Sequence, residues 1–283
     1  MILAVVLALA AQANPEAEIV MDRKRREAAE TRNAETKTLS KPAFTQPPEM
    51  QQKFNACLDA AIDSPEAGAK WAEQWRIAGG GYLARQCLGF AYAEQKRWLP
   101  AMTAFQQAAD EADIARDPTS GQLWAQAGNA ALAGEQPDKA RTYFNAALAR
   151  GIPDGLEKGE IYLDRARALV AMDKLAEARP DIDKALSEVP KDPLAWLLSA
   201  TLARRMDNLP VAQEHIAQAV ALSPDDASVA LEEGNIAVLS GMDDVAKLAW
   251  ERAVKVAPDS PAGKAATASL AQLAGEAKAS EPQ

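Results

Sequence analysis

Small, apolar and aromatic residues recur along this chain in one order and at nearly one spacing. In the stretch CLGFAYAEQKRWLPAMTAFQQAA, Cys87 to Ala109, Gly89 interrupts a run that otherwise reads as helix, and Ala101, Phe105 and Ala108 follow it. The order returns with Gly128 ahead of Ala140, Phe144 and Ala147, and with Gly234 ahead of Ala246, Trp250 and Ala253. Two segments between these carry alanine in the glycine position. Ala166 precedes Ala178, Ile182, Ala185 and Pro190, and Ala200 precedes Ala212, Ile216, Ala219 and Pro224. Glycine inside a helix costs up to about 1 kcal/mol relative to alanine, and is sensible where another backbone must pass close by. A close approach repeated along the chain is a repeated packing contact, so the pattern predicts helices stacked in series.

Composition supports helices. Of 283 residues, 63 are alanine and only 5% are aromatic, within an apolar total of 48%. A sheet protein would carry more Val, Ile, Thr and Tyr, whereas alanine has the highest helix propensity and lets helices approach closely. The fold class is therefore all-α. A net charge of −9 argues against a nucleic-acid or anionic-membrane binder, which would carry a basic patch.

The series resembles the tetratricopeptide repeat, a helix–turn–helix unit of about 34 residues with the skeleton W-x2-L-G-x2-Y, then A-x3-F-x2-A, then P. On that resemblance, units start at Tyr82, Gly121, Gly159, Pro193 and Ala227, in steps of 39, 38, 34 and 34 residues. The first two steps exceed the period by about one helical turn. The surplus falls at ADIARDPTS and GIPDGLEKG, between one unit and the next. Trp124, Tyr162 and Trp196 fill the first aromatic slot, Leu88, Gly89 and Tyr92 give the fullest match in a first helix, and Pro190, Pro224 and Pro258 close the last three units. The resemblance implies a right-handed α-superhelix of five units over residues 82–258, packed through the residues named above. Gly128 is expected against a neighbouring helix. Residues 49–81 read as a degenerate unit beginning near Pro48, with Asn55 where glycine belongs and Ala67 and Trp71 in the Ala and Phe slots of its second helix. Residues 259–279 resemble the added helix that covers the apolar face of a last repeat, and 280–283 a disordered tail.

The N-terminus reads as an export signal. MILAVVLALAAQA is an apolar run ending in Ala11-Gln12-Ala13, which suits cleavage after Ala13. It is shorter than the roughly 20 residues a membrane-spanning helix needs, so no integral membrane span is expected. No Lys or Arg precedes it, and the alternative is an uncleaved, weakly membrane-associated tail. The absence of a Cys after the cleavage region gives a lipid anchor no support. Residues 14–48 are charged and poor in large apolar residues, including DRKRRE at Asp22 to Glu27, and read as a solvated linker up to Pro42, Pro47 and Pro48.

Little in the chain points to catalysis. The one histidine, His215, falls among helix surface positions and is expected to be solvated. No metal-ligand cluster, phosphate loop or nucleophile elbow appears, and AGGGYL at 78–83 reads as a helix-ending turn. Asp225-Asp226 and Asp243-Asp244 suit helix starts, where carboxylates favour the dipole. Neither an enzyme nor a bound cofactor or metal is expected.

The resemblance implies binding instead: first helices of successive units line a concave groove that takes an extended peptide or a partner helix. Carried over position by position, the polar groove residues are Gln86 and Glu94, Gln122 and Asn129, Glu160 and Arg167, Thr201, Arg204 and Arg205, then Ser228 and Asn235. One subfamily grips chaperone C-termini with a Lys-Asn-Asn-Lys-Arg clamp, and that set is absent. The sixth positions here are Cys87, Gln126, Asp164, Leu198 and Glu232. Arg167, Arg204 and Arg205, with Asn129 beside them, suggest a ligand segment bearing acidic residues or a free C-terminus. The alternative is that these arginines are solvated or paired with Glu160 and Asp164. Cys57 and Cys87 fall on first helices of adjacent units, and in an exported chain suggest a disulfide; the alternative is two buried free thiols. The expected protein is a bacterial, exported interaction scaffold of the periplasm or exterior, or else a cytoplasmic or membrane-tethered adaptor.

Overall fold

A computed structural model describes residues 47–280. The expected export signal, the expected linker over 14–48 apart from its last two residues, and the expected tail apart from Ser280 lie outside the described residues. Thirteen helices and no strands fill the described part. The first pair is α1 (Pro48–Asp63) and α2 (Pro65–Ile77), followed by α3 (Gly81–Glu94) with α4 (Trp98–Ile114) and α5 (Ser120–Ala133) with α6 (Pro137–Leu148). Next come α7 (Leu156–Ala171) with α8 (Leu175–Glu188), α9 (Pro193–Arg205) with α10 (Leu209–Leu222), and α11 (Ala227–Leu239) with α12 (Asp243–Val256). A last helix, α13 (Pro261–Ser280), packs on both α11 and α12.

Local chemistry sets the helix ends. Prolines open α1, α2, α6, α9 and α10 within the first two positions, where a missing N–H costs nothing. Ser64, Asp192, Asn208 and Asp226 accept backbone N–H groups of the helices they precede. The turns inside the pairs from α3 to α12 are copies of one another. In each, a residue in the left-handed region is followed by an N–H that reaches back into the helix: Arg97 to Tyr92, Gln136 to Ala131, Lys174 to Leu169, Asn208 to Ala203 and Met242 to Ala237. The left-handed residue is Gly241 in the last turn but Lys96, Glu135, Asp173 and Asp207 in the others, at φ from 55 to 59°. A side chain there costs about 1–2 kcal/mol, which the surrounding packing offsets.

The recurring glycine has a direct structural cause. A Cβ added to Gly89 would lie 2.6 Å from the ring of Phe105, one on Gly128 2.5 Å from Phe144, and one on Gly234 2.4 Å from Trp250. First and second helices of a pair thus close over an aromatic ring that leaves no room for a methyl group. Where alanine replaces glycine, at Ala166 and Ala200, the facing core residue is the smaller Ile182 or Ile216. Gly128→Leu should therefore destabilise the protein by on the order of 1–3 kcal/mol through overpacking. An unchanged urea midpoint would contradict that packing.

Two features depart from the expected register. In the first pair, Ala67 is exposed and Trp71 half-buried, whereas Gly68, Ala72 and Trp75 are buried. The inward face is shifted by one residue because a single residue, Ser64, joins α1 to α2, and Gly68 then lies directly on Ala61, where a Cβ would come within 2.4 Å of its Cα. In the third unit, α7 begins at Leu156, three residues ahead of Gly159, after Gly155 at φ 112°.

The two insertions are absorbed differently. The first lengthens α4 to 17 residues, and its extra turn carries Asp113. Arg150 binds that carboxylate through both Nε and a terminal nitrogen, stacks over Trp124 at 5.0 Å, and shares Asp113 with the Trp124 Nε1–H. The guanidinium holds the Asp113 carboxyl down to about 2. The second insertion forms the loop after α6, pinned by the buried Ile152 against Gly121.

Candidate functional site

First helices pack against first helices of the neighbouring pair, as α1 does with α3, α5 with α7, α7 with α9, and α9 with α11; no comparable packing joins successive second helices. Elements that touch lie on the shorter, inner path of a curved stack, so the first helices line the concave side. The residues expected on that side are sorted by their partners into two groups.

The first group is consumed within the chain. Gln86 donates to Gln126 at 3.1 Å, and Asn235 donates to Glu232 at 3.3 Å while accepting from Trp250 Nε1 at 3.2 Å. Arg167 pairs with Asp164 at 3.1 Å, with side chains only 9% and 4% exposed. Arg204 on α9 forks onto Glu232 of α11 at 2.7 and 3.1 Å, and the Glu232 side chain is 8% exposed. Two of the three arginines expected to meet a ligand therefore neutralise buried carboxylates and tie neighbouring turns and helices together. Glu94 and Glu160 also have polar contacts within the chain.

The second group is available. Asn129 and Thr201 are half-buried and make no side-chain hydrogen bond among the described residues. Arg205 is 38% exposed, and its partner, Asp173, lies 3.6 Å away and is 88% exposed. Gln122, although exposed, belongs with the first group, because it hydrogen-bonds to Glu157, whose carboxyl burial pushes upward. At the matching position of α5, α7 and α11 stand the half-buried Leu132, Val170 and Val238, with Arg204 in their place on α9. A crevice of about 20 Å³, room for one water, lies among α7, α8 and α9, lined by the buried Ala166, Ile182, Leu198 and Leu202 with Val170, Arg167, Thr201 and Arg205. The concave face thus offers an apolar strip with a few free polar groups, the general make-up of a binding groove.

At the far end of the first pair, Cys57 of α1 and Cys87 of α3 are fully buried and joined by a disulfide, with their Cα atoms 6.3 Å apart. His215 is not solvated as expected. Its Nδ1 shares a 2.8 Å hydrogen bond with the buried Ser199, its ring meets Trp196 edge-on, and burial pushes its pKa down. Among the described residues no group of His, Cys, Asp and Glu has the arrangement of a metal site.

A tetratricopeptide repeat family model matches residues 125–193 and 163–227. Residues 125–227 carry tetratricopeptide repeats, and the fold is of the tetratricopeptide type. It is similar to that of PilW, described as a widely conserved type IV pilus biogenesis factor, at 17% identity and a TM-score of 0.64, over 77% of this chain and 97% of that one. Pseudomonas aeruginosa PilF is similar at 14% identity and a TM-score of 0.60, over 78% and 99% of the two chains. YrrB, described as a tetratricopeptide protein with an unusual peptide-binding site, gives 16% identity and a TM-score of 0.51, over 70% and 95%. At these identities the likeness is one of fold. No curated protein matches by sequence. Among the described residues no helix is long and apolar enough to cross a membrane. The tetratricopeptide assignment accounts for the recurring turn and for the glycine–aromatic contact, both of which belong to packing. The free groups of the concave face belong to neither.

Proposed function

We propose that this protein is a non-catalytic scaffold that holds a peptide or partner helix along its concave face, and that it works outside the cytoplasm. The observation that carries the binding half is the strip of Leu132, Val170 and Val238 flanked by Asn129, Thr201 and Arg205, polar groups left free or weakly paired. Unpaired amide and hydroxyl groups beside half-buried apolar surface suit a segment that brings its own backbone donors and acceptors. Arg205 is the group that favours a segment with an acidic residue or a free C-terminus, because Arg167 and Arg204 are already neutralised.

Export is supported by three observations: the apolar run ending at Ala13, the Cys57–Cys87 disulfide, which belongs to an oxidising compartment, and the fold shared with the type IV pilus biogenesis factor PilW. N-terminal sequencing of the mature chain after cell fractionation should read from Asn14 in the periplasmic or secreted fraction. The groove is tested by capture from envelope extract with Asn129→Ala and Leu132→Glu against a second-helix control, Glu214→Lys. The expected result is about a tenfold loss of the co-purifying protein for the groove variants alone, the equivalent of roughly 1.4 kcal/mol. Loss confined to the Glu214 variant would place binding on the convex face.

A further inference from the structure

We propose that His215 is a proton-operated latch on the junction between the third and fourth units, closed while its ring is neutral and loosened once the ring is protonated. The ring sits where three helices meet. His215 belongs to α10, and its Nδ1 shares a 2.8 Å hydrogen bond with the fully buried Ser199 of α9. The ring packs edge-on against Trp196 of α9 at 5.3 Å, and the Trp196 Nε1–H donates to the Pro190 carbonyl in the connection from α8. The charges facing the ring come from α8 and from α10 itself. They are Arg179, hydrogen-bonded to Asp183 at 2.6 and 2.9 Å, Asp183, and Glu214. Trp196 and Ser199, the groups that α9 brings to the ring, carry no charge, and among the described residues no charged group of α11 acts on it. Of all the contacts between a second helix and the first helix that follows it, that of α8 with α9 is the thinnest. The titratable ring thus stands at the weakest joint of the stack. Other units hold Ala104, Tyr143, Asp181 and Ala249 at this position, so repeat packing does not call for histidine there.

A neutral imidazole can accept the Ser199 hydroxyl proton at Nδ1, whereas an imidazolium carries a proton on both nitrogens and accepts nothing. Protonation therefore turns the buried hydroxyl away and places a second positive charge in a half-buried site facing Arg179. Burial first, and Arg179 second, hold the ring's pKa below its ordinary value against the smaller pull of Glu214 and Asp183. In the unfolded chain the ring titrates near about 6.5. Stability is therefore constant above that pH and falls as pH drops below it, because the unfolded chain takes up the proton first. Glu157 and Asp110, whose carboxyls burial pushes upward, act with the opposite sign, since their protonation favours the folded chain. Asp113 and Glu73, held down by their arginines, change only in stronger acid. As His215 is the chain's one histidine, a loss between about pH 7.5 and about pH 5.5 is specific to it. The two first helices on either side of the joint, α7 and α9, both line the concave face, so the latch also sets their spacing.

The test uses the full chain. Hydrogen exchange, corrected for the intrinsic effect of pH, is compared at the two ends of that range in wild type and in His215→Gln, which keeps an acceptor for Ser199 but takes no proton. On acidification the amides of α9 and α10 in the wild type should open about threefold or more often, while those of α3 to α6 stay unchanged. His215→Gln should show no such response. The C2 proton of the ring, followed by NMR in the wild type, should titrate below the ordinary value of about 6.5, a readout that stands whether or not the variant folds. An equal response in both proteins, no response in the wild type, or a ring that titrates at or above its ordinary value would overturn the latch. Protection lost evenly along the stack would overturn its placement at this junction.

Discussion

Replacing Cys57 and Cys87 by alanine is expected to release the first helix pair from the stack while the later repeats stay folded. The disulfide closes a loop with a sequence separation of 30, for which the chain-entropy model gives about 3–4 kcal/mol. That adds to an apolar contact with α3 made by Trp75, Phe54 and Leu58. Gly68 lies on Ala61 where α1 meets α2, and Cys57, Ala72 and Trp75, with the half-buried Phe54 and Trp71, share one cluster with Leu83 and Leu88 of α3. A stack in which each repeat touches only its neighbours loses stability locally. Hydrogen exchange should show the amides of residues 48–77 losing protection in the double variant while those of α7 to α12 keep theirs. Uniform loss along the chain would mean that the first pair is integral to the whole stack.

Arg204→Ala is expected to cost about 3 kcal/mol, the lower end of the range for breaking a buried pair, since the arginine itself is 25% exposed. The loss comes from Glu232, whose carboxyl would be left in a site 8% exposed with Asn235 as its remaining side-chain donor among the described residues. The companion variant Arg204→Met with Glu232→Leu should recover most of that stability, because a well-packed apolar pair can replace a buried ion pair at little cost. Urea titration of the wild type, the single variant and the double variant measures this. A single variant within about 0.5 kcal/mol of wild type would show that the pair contributes nothing, and Arg204 would return to the list of groups free for a ligand.

The outcome at Arg204 bears on how much of the molecule was legible beforehand. Repetition carried the fold: Gly89, Gly128 and Gly234 with their aromatic partners, and Ala166 and Ala200 with isoleucine, record a steric exchange that any alignment of the chain with itself exposes. The turns inside the pairs were invisible, because four of the five left-handed positions hold Lys, Glu or Asp where glycine would have marked them. The first pair misled by one residue, since a one-residue linker sets its register and spacing to the next unit does not. At the concave face, repeat position identified residues on the right helices but not their partners. Asp164 and Glu232 sit one turn and one repeat away from the arginines they neutralise, and pairing over such distances depends on helix rotation. His215 failed for the same reason: Ser199, sixteen residues earlier, gives it a buried partner.

The central claim is that the concave face formed by the first helices is the binding surface. Its most direct test is a photo-crosslinking scan in living cells, with a photoreactive residue placed in turn at Leu132, Val170 and Val238 on the first helices and at Glu214 and Leu248 on the second. The groove positions should yield one common adduct, diminished by Asn129→Ala, and the second-helix positions none. A common adduct from Glu214 and Leu248, with the groove positions silent, would contradict the claim.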